Sequence, residues 1–346
     1  MPMVRLVRLH WILLLSALAF SAASLAQSVK VTSLGSHDGE LCDRDRATIL
    51  EDPTGVRILY DPGQSVTGAE DPRLGRIDVV LLSHAHGDHI GDMKLKALGA
   101  GSCDKPQLVS AAPNSTTAEI AAAKNAALIM EIQLGAFIGR KIETIRGKPT
   151  QACGPADAEL VAPFAAPCLA TVRTGGARIV KASSASKGVE IATVPAVHDS
   201  TVPLALLSEN QRKTLEADNA SLELGPPLGY VIRFTNGLVL YLTGDTGIHG
   251  DMRTIAHDYY KANLVELNFA PIAIDPDAAA YAVDTLIQPA SVIVTHVNEA
   301  ATSGGKVRPA SRTAAFIARV KERPVYPALS GRTMEFDGAG KCVAGC

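Results

Sequence analysis

Aromatic residues are scarce in this 346-residue chain, 4% of it, with a single Trp, 7 Tyr and 7 Phe. A core must therefore rest on Ala, Val, Leu and Ile, and few residues remain for the stacking platforms that hold single-stranded nucleic acid, which argues against such a substrate. An excess of one charge sign is missing too. The 33 Lys and Arg stand against 35 Asp and Glu, a formal net of -2. No basic run follows the first few residues, and nothing in the charge balance points to a nucleic-acid surface. Beyond the first 26 residues no apolar stretch approaches membrane-spanning length, and there is neither an internal repeat nor a low-complexity tract. What remains is ordinary globular composition, 47% hydrophobic and 20% charged, in a chain long enough to bury a sizeable core in one large domain or two modest ones.

The first residues read as a targeting segment. Arg5 and Arg8 form a short positive region, Trp11 to Phe20 is a compact apolar run, and Ser24-Leu25-Ala26 offers the small residues a signal peptidase reads. Residues 1–26 are expected to be a removed signal peptide and 27–346 a periplasmic or secreted single domain; the apolar run is short for a retained anchor. No Cys stands at the new N-terminus, which argues against a lipoprotein, and the arginines are not adjacent, which argues against a twin-arginine route. Six cysteines, Cys42, Cys103, Cys153, Cys168, Cys342 and Cys346, then favour disulfides. Cys153 with Cys168 and Cys342 with Cys346 are the locally plausible pairs. Their spacings lack the paired short intervals of a Cys-rich zinc site.

Val29 to Thr32 reads as a first strand, and Ala47 to Leu50 with Val56 to Tyr60 as a hairpin ending at Asp61-Pro62-Gly63. Ile77 to Ser83 is an apolar run typical of a buried strand. A helix is expected from Thr116, with Glu119 completing a capping box. The Pro-, Ala- and Gly-rich stretch from Lys148 to about Gly176 reads as a long loop over the site mouth, so that 103–188 is expected to be a loop-and-helix insertion. Strands resume at Val189 to Val194, then at Tyr230 to Phe234 and Leu238 to Leu242 across an Asn236-Gly237 turn. Leu264 to Asn268 and Ser291 to Thr295 follow, with a helix from Asp277 to Leu286 between them. Strands mixed with helices in two series predict an α/β fold, a four-layer αββα sandwich.

The chemistry lies in His84-Ala85-His86-Gly87-Asp88-His89, directly after an apolar strand. Imidazole and carboxylate are the ligands that borderline cations such as Zn²⁺ prefer. A tight turn can point His84 and His86 at one ion and Asp88 and His89 at a second, with Gly87 sparing bulk where the chain bends. Three more strand ends carry a metal-type ligand: His198 after Val194 to Val197, Asp245 after Leu240 to Gly244, and His296 after Val292 to Thr295. Each alone reads as a turn Asp or a hydrogen-bonded His; beside the cluster, together, they read as one site. His249, four residues past Asp245 in a Gly-rich loop, is a candidate to meet substrate or donate a proton, against a plain exposed loop histidine. His257 reads as a helix-surface residue.

This ordered set, the cluster followed by His198, Asp245 and His296, resembles the metallo-β-lactamase superfamily, whose fold is an αββα sandwich with metal at one sheet edge. The resemblance implies one cation held by His84, His86 and His198, another by Asp88, His89 and His296, and Asp245 bridging. Asp61 matches an acidic residue that supports the site from behind, or is simply a turn residue. Thr243-Gly244-Asp245-Thr246-Gly247-Ile248-His249-Gly250-Asp251-Met252, with Asp277 to Val283, looks like the small metal-dependent hydrolase branch that includes ascorbate-phosphate lactonase. The implied cofactors are two divalent ions, zinc first, manganese or iron as alternatives. The implied reaction is attack by a metal-bridging hydroxide on a lactone, ester or amide-type bond of a small molecule, with Asp88 and Asp245 as the catalytic carboxylates. Zinc β-lactamases carry Cys or Ser where Asp245 stands, which argues against that activity. Phosphodiester cleavage on a small phosphodiester or phospholipid, and a non-hydrolytic iron redox or metal-binding role, are the alternatives. Nothing in the sequence points to nucleic acid or fixes an oligomeric state.

Overall fold

The computed structural model describes residues 28–346; the expected signal peptide lies outside them. Among the described residues most strands gather into two large sheets packed face to face, and the rest form three two-stranded ribbons. The first, nine-stranded, runs in the order Gln151–Ala152, Cys168–Leu169, Ala127–Ile129, Val79–Leu81, Arg57–Tyr60, Ala47–Glu51, Val29–Leu34, Thr333–Phe336 and Cys342–Ala344. The second, eight-stranded, runs Leu160–Ala162, Ala177–Ala182, Val189–Pro195, Leu228–Arg233, Val239–Leu242, Leu264–Asn268, Ser291–Thr295 and Val325–Pro327.

Strand alternation explains the layering, because successive side chains point to opposite faces. Ile58, Tyr60, Val79 and Leu81 face inward and share a buried cluster with Ile191, Tyr230, Ile232, Leu240 and Leu242 of the second sheet. Leu59, Val80 and Leu82 face outward and pack with Ala118, Ala121, Leu134 and Ile138 of two helices, Thr116–Lys124 and Ile132–Arg146. The second sheet is covered in turn by the helical segments Met252–Tyr259, Pro276–Ile287 and Arg312–Arg319, which contribute Met252, Val283 and Phe316 to the larger cluster. These are the four layers of an αββα sandwich.

The predicted hairpin pairs Thr48 with Tyr60 and Glu51 with Arg57, and the Asn236-Gly237 turn joins strands in register Arg233 to Val239. The helix expected at Thr116 is capped one residue earlier, by Ser115 accepting from the Ala118 amide, while Glu119 pairs with Lys94 instead of closing a capping box. The stretch 103–188 is woven into both sheets. Ala127–Ile129 lies directly beside Val79–Leu81, and Ala177–Ala182 pairs with Val189–Pro195. The expected long loop after Lys148 contains the strands Gln151–Ala152, Leu160–Ala162 and Cys168–Leu169. They are too short to show a period in sequence, and backbone pairing rather than side-chain pattern makes them strands. The six cysteines pair as Cys42–Cys103, Cys153–Cys168 and Cys342–Cys346, the last two being the local pairs expected. No helix of the described residues is long and apolar enough to cross a membrane.

Candidate metal centre

Five strands of the two sheets end at one edge of the sandwich, and each delivers a polar side chain as it leaves the sheet. Asp61 follows Arg57–Tyr60, Ser83 and His84 follow Val79–Leu81, His198 follows Val189–Pro195, Asp245 follows Val239–Leu242 and His296 follows Ser291–Thr295. Crevices outside the carboxyl ends of strands are where α/β sheets hold ligands, because the backbone turns away there and leaves space. The turns are sharp. Asp61 and His296 both take positive φ, 39° and 50°. Gly244 does so at 62°, where a Cβ would lie 2.6 Å from the Leu228 carbonyl oxygen. The bulk spared at Gly87 serves packing, since a Cβ there would meet the Asp92 carboxylate.

The seven residues expected to hold metal come together. His84, His86 and His198 offer ligand atoms within 4.8 Å of one another, as do Asp88, His89 and His296, and as do His84, His89 and Asp245. Asp245 stands between the first two groups. Its Oδ2 lies 3.2 Å from His296 Nε2, 3.5 Å from His89 Nε2 and 3.9 Å from His198 Nε2. Its Oδ1 accepts from Asn268 Nδ2 at 2.9 Å, which leaves the other oxygen facing the imidazoles.

The donors fit a cation. His84 Nε2 is buried and has no hydrogen-bond partner, a costly state for a polar atom unless an ion takes it up. His89 Nε2 and His296 Nε2 face each other at 3.1 Å, where two neutral lone pairs need a proton or a cation between them. Burial and the neighbouring His89 push the His84 imidazole well below its ordinary value, keeping it in the neutral form that ligates. Burial also opposes charge on His89, but the Asp245, Asp61 and Asp88 carboxylates outweigh it and raise the ring to about 10. His89 would therefore give up a proton in holding a cation at Nε2.

Asp61 lies directly behind this set. Its carboxylate accepts from the Ser83 amide at 2.8 Å, from Ser83 Oγ at 2.6 Å and from His89 Nδ1 at 2.7 Å. A carboxylate on the far nitrogen fixes the tautomer and orients Nε2 toward the ion. The floor is closed, with His84, His89 and His296 buried. Access is from the side of His86 and His198, whose side chains are 26% and 18% exposed. The exposed Val197 and Ile248 stand beside that opening on adjacent loops, joined by the Gly247 amide on the Val197 carbonyl.

Three residues of the site carried no metal-ligand signal in sequence. Asp199 accepts from His86 Nε2 at 2.9 Å, Ser83 touches both His84 and His89, and Asn268 holds Asp245. Adjacency to His198, to His84 and to a strand end were the available hints. His249 stands apart. Neither of its ring nitrogens has a hydrogen-bond partner, and burial lowers its pKa with Asp251 as the opposing charge. His257 Nδ1 bonds the Ile287 carbonyl from a helical segment.

A family sequence model described as "Beta-lactamase superfamily domain" matches residues 45–296, most of the chain and both ends of the site. The chain belongs to that superfamily. It is 28% identical over 301 residues to a UPF0173 metal-dependent hydrolase of Polynucleobacter asymbioticus, covering 83% of this chain and 82% of the relative. A second such relative, from Opitutus terrae, is 26% identical over 283 residues, 81% of this chain and 92% of its own. Among solved structures, Igni18, a novel metallo hydrolase from the archaeon Ignicoccus hospitalis, shares the fold with a TM-score of 0.55 over 90% of this chain and 99% of its own, at 21% identity. The protein is a metal-dependent hydrolase of the metallo-β-lactamase fold.

Proposed function

We propose that this is an exported, dinuclear hydrolase that cleaves a lactone, ester or amide-type bond in a small molecule. One observation carries the reading: a single Asp245 oxygen lies within 4 Å of imidazoles from both histidine groups. Two divalent cations, zinc or alternatively manganese or iron, would be held by His84, His86, His198 and by Asp88, His89, His296, and when bound would supply Lewis acidity and water that ionises near neutral pH. The chain's own groups do the rest. Asn268 turns Asp245 so that Oδ2 faces the imidazoles, Asp199 orients His86 at the open side, and Asp61 keeps the His89 proton on Nδ1. Asp88, partly exposed at the mouth, is held ionised against its burial by Arg46, His89 and His296, which suits its carboxylate to orienting a water at the site. The buried histidine floor keeps water from the back. Val197 and Ile248 beside the opening favour an uncharged, partly apolar substrate over a polyanion.

Export is supported by three disulfides, which persist in oxidising compartments. A single domain over 27–346 is supported by one buried cluster that includes both Val29 and Phe336. Elemental analysis of the purified protein, followed by a panel of lactones, esters, amides, β-lactams and phosphodiesters, tests the reading. Two zinc or manganese equivalents with lactone, ester or amide turnover are expected. Turnover of phosphodiesters alone, or iron with visible absorption and no hydrolysis, would replace it.

A further inference from the structure

The segment that enters the site from the protein's first strands does so through an arginine. Arg46 is buried along its whole length. Its Nη1 contacts Asp88 Oδ2, and its Nη2 lies 3.5 Å from Asn298 Oδ1. The oxygen it ion-pairs with is the one that lies 3.5 Å from His296 Nε2 and 4.0 Å from His89 Nε2. A preformed guanidinium contact fixes where a carboxylate points, which a flexible or apolar side chain does not.

Arg46 is itself held by a small closed loop. The Asp45 carboxylate accepts from the Ser36 and Cys42 amides at 2.8 and 2.9 Å. The Asp45 carbonyl accepts from the His296 amide at 3.1 Å, and the Arg46 amide donates to Ser65 Oγ at 3.0 Å. The loop is tied down by the Cys42–Cys103 disulfide, reinforced by the Asp43 amide on the Cys103 carbonyl at 3.0 Å. Adjacent residues thus reach two ligands of the same cation group, Asp45 through the His296 backbone and Arg46 through the Asp88 side chain.

We propose that Arg46 is a positioning residue for the cation site of Asp88, His89 and His296, and that the Cys42–Cys103 bridge keeps it in place. Loss of either loosens that site and spares the one built on His84, His86 and His198. The inference rests on the dinuclear reading. Losing an outer partner of a ligand typically weakens metal binding about 10–100-fold.

The test is Zn²⁺ titration into metal-free protein, with chelator competition and elemental analysis, on wild type, R46M, R46K, C42S/C103S and, as control, C342S/C346S. Circular dichroism establishes that each is folded. Expected are two tight equivalents in wild type and in C342S/C346S. R46M and C42S/C103S should keep one tight equivalent while the other weakens about 10–100-fold, and R46K, which retains a charged donor, should recover part of the loss. If R46M fails to fold, R46K and C42S/C103S decide the matter by the same titration. Wild-type affinity for both equivalents in the folded variants overturns the inference. A wild type that binds fewer than two equivalents overturns instead the dinuclear reading beneath it.

Discussion

Glu266 offers a test of the packing between the two sheets at a residue outside the candidate ligand set. It lies on Leu264–Asn268, fully buried, and its Oε1 accepts from Thr48 Oγ1 of the opposite sheet at 2.7 Å; its Oε2 has no hydrogen-bond partner. Burial raises its carboxyl from 4.5 to about 8, with the Asp61 charge adding to the effect and the Thr48 bond opposing it. The unfolded chain gives up this proton near 4.5, and the folded protein holds it until about 8. Across that window the native state binds the extra proton, so stability falls as pH rises. At about 1.36 kcal/mol per unit the decline reaches roughly 5 kcal/mol by pH 9. The variant E266Q keeps the acceptor for Thr48 and cannot ionise. Its stability relative to wild type, measured by urea unfolding at pH 5, 7 and 9, should be near equal at the low end and greater by several kcal/mol at the high end. A difference that does not change with pH would refute the reasoning, since no ionisation would then separate the two proteins.

Other outcomes follow from the same geometry. His86→Ala should abolish turnover with the fold intact, and the affinity of the His84 and His198 group for its cation should fall by more than the roughly 10–100-fold typical of an outer partner, so that metal content drops from two equivalents toward one; elemental analysis and circular dichroism check both halves. Asp61→Asn loses one carboxylate oxygen from the three-donor arrangement around Ser83 and His89, so cation affinity by calorimetric titration should drop about 10–100-fold. Removing Cys42–Cys103, which closes 61 residues, should cost about 4 kcal/mol in a urea melt, and removing Cys153–Cys168, which closes 15, about 3 kcal/mol. Equal losses, or a larger one for the short loop, would put the origin of the stabilisation elsewhere than chain entropy.

Much of the site could be read before any fold was known, for a local reason. His84, His86, Asp88 and His89 are four of six consecutive residues, and a ligand set that compact announces itself in composition. The strand ends at His198, Asp245 and His296 were visible because buried strands of a layered sandwich are short apolar runs, and a polar residue closing such a run is conspicuous. The hairpins around Glu51 to Gly55 and Asn236-Gly237 were legible because their turn residues are.

What the tertiary structure alone decided is everything that depends on distance across the chain. Arg46 meets Asp88, Asn268 meets Asp245, and Cys42 meets Cys103 only once strands distant in sequence have come side by side; no period or spacing encodes those encounters. The short strands between Gln151 and Leu169 are strands because neighbouring backbones offer them partners, and their own side chains carry no such pattern. Local sequence specified which chemistry was available and at which strand ends it sat. The packing of the sandwich brought those ends to one edge, because hydrogen-bonded register, set by residues far from the site, determines where each strand stops.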